Sequence, residues 1–171
     1  YIGPSIHNMF ADLNGNAIVT ETDNTRNFIT EIEGEFLVMS NFANHSFTGK
    51  SYEKASGAGA DRYMTAHEYI LDNIETFTAA KGFELLEKVS LNDPDCKTLC
   101  SMVFEPQTNN IYISLNRDFQ RLWKVSLGGS TIETYKGHEI FREIQLDKHG
   151  ILSAGLKAFQ ADDLHGKMVK Y

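Results

Sequence analysis

Glu35-Phe36-Leu37-Val38-Met39-Ser40-Asn41-Phe42 is the stretch around which the rest of the chain is organised. An apolar run rich in β-branched and aromatic residues reads as a buried strand. It stops at the polar pair Ser40-Asn41, where a strand hands over to a loop. The loop is rich in Gly and Ser (Gly49, Ser51, Ser56, Gly57, Gly59) and leads into Asp61-Arg62-Tyr63, the start of a helical pattern. Binding groups concentrate at such strand ends, held by a rigid scaffold. Asn41 and Arg62 are therefore the first candidates.

Upstream, residues 5–11 and 17–22 read as two strands joined by Asp12-Leu13-Asn14-Gly15-Asn16, where Asn-Gly tolerates positive φ. Asp23-Asn24 turns the chain into a third strand, 27–32, and Glu33-Gly34 turns it into the central run. Four short strands with tight turns predict an antiparallel meander.

Downstream, Tyr63, Ala66, Ile70, Ile74 and Phe77 recur at helical spacing, which predicts one helix over 62–77 with its apolar face on a sheet. Asp61 is placed to cap it, and Lys81-Gly82 to end it. A shorter helix is expected over 83–89. Strands resume at 98–105, 111–115 and 121–127, with weaker ones at 131–135 and 139–146 and a short helix around 156–159. Strands, then helices, then strands give an α+β order rather than alternating βαβ units.

With 171 residues the chain amounts to a single domain, 1–171, able to bury roughly two thirds of its unfolded surface. A net charge of −7 argues against a nucleic-acid partner, because phosphate contacts need a basic surface. No apolar run approaches the roughly 20 residues of a membrane helix, so no membrane span is expected. Cys96 and Cys100 are the only cysteines, too few for a zinc site, and whether they pair stays open. No metal or other cofactor is expected. Compartment and oligomeric state are not encoded in any visible motif.

A strand ending in Asn and an aromatic, followed by Arg-Tyr opening a helix, resembles the linear-amide branch of the N-terminal-nucleophile hydrolases. That branch includes the choloylglycine hydrolases, penicillin V acylases and acid ceramidase-like amidases. Phe10 to Glu21 resembles the family's hairpin ending in Glu, and Thr98 to Pro106 its later Ser-containing strand. The similarity spans about the first three quarters of the chain. It implies an αββα four-layer sandwich, two stacked antiparallel sheets between helical layers, incomplete where the N-terminal segment is missing.

The resemblance implies a small-molecule N-acyl amide as substrate, with Asn41 helping to form the oxyanion hole and Arg62 holding a nucleophilic thiolate. Ser40 stands where the family often has Thr. Phe42 is a candidate for lining the acyl pocket, or for filling the core under the loop. The family's nucleophile is a cysteine at the mature N-terminus, a thiol beside an amine that can act as base. This chain begins with Tyr1. It is thus expected to be a processed or truncated later portion, with the nucleophile on a missing N-terminal segment or a second chain, and inactive alone.

Plainer readings stand beside these. Asn41 is as easily a turn residue, and Arg62 a surface arginine paired with Asp61 or Glu68. His7 and His45 invite a Cys-His pairing, but no nucleophile stands beside either. His67 and Glu68 read as a solvated helix face. The alternative function is a non-catalytic, β-rich ligand-binding or protein-interaction module.

Overall fold

The computed structural model of the protein describes residues 7–22, 26–32, 34–47 and 49–146. The chain divides into two compact units, residues 1–89 and 90–171, each with its own antiparallel sheet. With two α-helices between the sheets in sequence, the class is α+β. Among the described residues no helix is long and apolar enough to cross a membrane.

The first unit opens with three strands paired in sequence order: β1 (His7–Ala11), β2 (Ala17–Thr22) and β3 (Asn27–Glu31). The first hairpin turn is organised by Asp12. Its Oδ1 accepts the N–H groups of Asn14 and Asn16 at 2.8 and 3.0 Å, and Gly15 adopts φ +86°. These bonds, the Asn16 side-chain amide foremost, hold the Asp12 carboxyl below its usual range. Period-two alternation puts Val19 and Glu21 on one face of β2, and both are almost fully buried. The register sets His7 opposite Glu21, and Glu21 opposite Phe28.

The central run differs from its sequence reading. Residues 36–40 form no regular secondary structure and join no strand ladder, so the described meander has three strands rather than four. The loop is held by side chains instead: Asn44 Nδ2 donates to the Val38 carbonyl at 3.1 Å.

The helical stretch also breaks earlier than its periodicity suggests. α1 (Ala60–Asn73) stops where Asn73 leaves helical geometry, at φ −125° and ψ 2°. Its side chain bonds back to the Tyr69 carbonyl at 2.8 Å, the local competition with the helix that Asn favours. A 3₁₀ turn, Ile74–Thr76, follows, and Phe77 is left 42% exposed. The helix α2 (Ala79–Val89) then begins before Lys81-Gly82 rather than after it. Gly82 is buried inside α2 and donates its N–H to the Thr78 carbonyl at 2.9 Å, so it is not a terminator. Among the described elements α1 packs chiefly on α2 rather than on a strand, while Tyr63 of its apolar face meets Phe42 of the preceding loop. Tyr69 Oη donates to Glu84 at 2.6 Å across that pair, and this bond pushes the phenol up to about 12. Asp61 sits in the first turn, but the capping position belongs to Gly59.

The second unit is a five-stranded meander in chain order: β4 (Cys100–Glu105), β5 (Asn110–Leu115), β6 (Leu122–Ser126), β7 (Thr131–Lys136) and β8 (Glu143–Gln145). The last is shorter than the sequence suggests. Pairing aligns Phe104, Ile111, Val125, Ile132 and Ile144 in one apolar row, with Met102 and Ile113 beside it. Phe104 and Met102 are 52% and 60% exposed. On the other face, Ser101, Ser114, Tyr112 and Leu122 are buried. The helix expected around 156–159 lies outside the described residues.

Candidate functional site

The site grows from the meeting of the 38–45 loop with the start of α1. Gly59 makes this approach possible. It sits at φ +79°, a conformation that strains residues with a Cβ, and a Cβ there would collide with Ser40 Oγ and lie 2.8 Å from Arg62 Nη2. In that space Ser40 Oγ donates to the Gly59 carbonyl at 2.8 Å. One turn into α1, Arg62 Nη2 donates to Asn41 Oδ1 at 2.7 Å. A guanidinium has only donors, so the atom it meets must be the amide oxygen. Asn41 thus turns Nδ2, its two-proton donor, away from Arg62.

Asn41 and Arg62 line one cavity of about 410 Å³ together with His7, Val38, Met39, Ser40, Tyr63, Ala66 and Val89. Among the described residues the lining holds one guanidinium and no carboxylate, and Arg62 forms no ion pair with Asp61 or Glu68. Burial pushes the Tyr63 phenol up, which keeps it neutral. The polar groups on this wall can therefore offer protons to an oxygen while apolar side chains surround the rest of a ligand.

Behind the wall lies a polar cluster. Glu21 is 2% exposed, and its two carboxylate oxygens accept the N–H groups of Asn44 and His45 at 2.6 and 2.7 Å. These residues form the 3₁₀ turn Asn44–Ser46. His45 Nδ1 lies 3.3 Å from Glu21, and its ring stacks on Phe28 at 3.6 Å. His7 Nδ1 is 3.5 Å from the other oxygen, close enough for an ion pair but without hydrogen-bond alignment.

A second cavity of about 250 Å³ adjoins Tyr63, which lines both; Phe36, Phe47 and His67 form its aromatic side, with Leu37 beside them. His67 is not on a solvated face. It stacks on Tyr52 at 5.0 Å and meets Phe36 and Tyr63, and desolvation lowers its pKa from 6.5. Glu68 is exposed, as its sequence reading has it. Phe42 is buried edge-on against Phe47 and Tyr63, so it supports the wall rather than lining either cavity.

Cys96 and Cys100 are free thiols in the second unit, both exposed. Desolvation pushes the Cys100 thiol up, the reverse of what an activated nucleophile needs. Among the described residues no group of three or more His, Cys, Asp or Glu side chains is placed to hold a metal.

Sequence reasoning brought Asn41 and Arg62 forward but not Gly59 or the Glu21 cluster. The signal for Glu21 was available: in Ala17-Ile18-Val19-Thr20-Glu21, the carboxylate falls on the same alternate positions as Val19. An acidic residue on a core-facing position needs a partner. No protein-family model matches the chain, and no curated protein or solved structure matches it either.

Proposed function

We propose that this chain carries the carbonyl-binding part of a hydrolase that cleaves linear amide C–N bonds in N-acyl compounds, of the N-terminal-nucleophile type. Asn41 Nδ2 is the donor to the acyl oxygen, and Arg62 sets its orientation and supplies positive charge beside the reacting centre. In this reading the attacking group is a cysteine thiol at a free N-terminus, a role that neither Cys96 nor Cys100 fills. The observation that carries this is the Arg62–Asn41 bond at the cavity wall. It fixes an amide donor in advance, which is how such groups stabilise charge that develops only in the transition state. The finer architecture belongs to the same proposal: in an αββα sandwich a second sheet would cover the apolar row from Phe104 to Ile144.

The isolated chain is expected to hydrolyse no N-acyl amino acid, bile-salt conjugate or penicillin above background. Joined to a segment that ends in a free N-terminal cysteine, it should do so. Asn41→Ala in that form should then lower kcat by roughly a hundredfold or more. Thiol-reagent-sensitive turnover by the short chain, abolished by replacing Cys96 or Cys100, would show that the nucleophile lies elsewhere. The exposed Met102 and Phe104 favour a second function, a non-catalytic interaction module. It gains ground if the joined form is folded but inert on all three substrate types.

A further inference from the structure

The loop carrying Asn41 has no sheet ladder, so something else must fix it. Glu21 supplies two short bonds to consecutive main-chain N–H groups, at Asn44 and His45, from an almost wholly buried position. Bonds to a carboxylate are roughly twice as strong as neutral ones, and here no solvent competes. Asn44 closes the loop from the other side through its bond to the Val38 carbonyl. Asn41 sits at the apex of the closed loop, tied to α1 only by Arg62, while its neighbour Ser40 is tied to Gly59. His7, set opposite Glu21 by the strand register, stands between this carboxylate and the cavity.

We propose that Glu21 is a positioning residue for the Asn41 site: by clamping the Asn44 and His45 amides, it determines where Asn41 Nδ2 stands in the cavity. The proposal rests on Asn41 being the carbonyl-oxygen donor. Its physical content is that a donor displaced by about an ångström loses most of its effect on a transition state, even if the protein stays folded. A carboxylate that served the core alone would stabilise the molecule without governing that one amide.

The test follows the side-chain amide of Asn41 by NMR in the 171-residue chain, labelled with ¹⁵N at asparagine. Three variants are compared: Glu21→Gln, Glu21→Asp and, as control, Val19→Ala. Glu21→Asp keeps the charge but shortens its reach to the Asn44 and His45 amides, while the control removes core volume beside Glu21 but none of its hydrogen bonds. Glu21→Gln and Glu21→Asp should each move the Asn41 Nδ2 signals towards those of exposed asparagines, and Val19→Ala should leave them in place. If Glu21→Gln does not fold, Glu21→Asp decides alone. Unmoved Asn41 signals in the folded variants, or an equal shift in Val19→Ala, would overturn the proposal.

A kinetic arm uses the cysteine-bearing form. Glu21→Gln should lower kcat at least about tenfold with KM little changed, and an unaltered kcat would overturn the proposal as well. If the wild-type form turns over no amide, the hydrolase assignment fails, while the NMR comparison still decides the role of Glu21.

Discussion

A single bond, from Arg62 to Asn41, gives this molecule its candidate chemistry, and a single glycine makes room for it. Gly59→Ala must place a Cβ in a left-handed backbone and against Ser40 and Arg62, so it should cost about 1–3 kcal/mol in stability. Urea unfolding would measure that loss; wild-type stability in the variant would mean that the 38–45 loop and α1 do not meet as closely as described. Arg62→Lys is the sharper probe of orientation. A lysine keeps the charge but lacks the planar fork, so it should leave stability nearly intact and still release the Asn41 amide. Both residues were visible in the sequence, because a polar pair ending an apolar run and an arginine opening a helix are local signals. Gly59 was not. A glycine in a Gly- and Ser-rich loop looks like its neighbours until the packing around its missing Cβ is known.

At the level of elements, the tight turns were easiest to read and the long helix hardest. Asp12 and Gly15 encode their hairpin within five residues, and the second-unit strands follow their alternating pattern closely. Periodicity overruns the helix because apolar spacing continues through Ile74 and Phe77, while Asn73 breaks the backbone by a side-chain bond. α2 is the better core element. Phe83, 6% exposed, should cost about 3–5 kcal/mol when replaced by Ala. An exposed-site loss, under about 1 kcal/mol, would mean that α2 does not pack as described.

The aromatic cluster around α1 adds a pH dependence. Desolvation lowers the His67 pKa below 6.5, so the folded protein binds this proton less readily than the unfolded chain. The contribution of His67 is therefore complete above about pH 6.5 and is lost as pH falls towards the folded-state pKa. His67→Gln should lose less stability than the wild type between pH 7 and pH 5, read as the change in urea midpoint. Equal losses would place His67 in water.

Across the whole molecule, every described sheet strand pairs with its neighbour in sequence: β1 to β3 in one unit and β4 to β8 in the other. Strand pairing of this kind consists of hairpins, in which few residues separate the partners. A chain search over short distances has little loop entropy to overcome, so rate rather than stability is affected. The described strands should therefore form within milliseconds in stopped-flow refolding, faster than sandwiches that close distant strands. The 38–45 loop has no such shortcut, because Glu21 must find amides more than twenty positions away in the chain. Candidate site and sheets should thus separate in time during refolding, the hairpins first and the cavity wall bearing Asn41 after them.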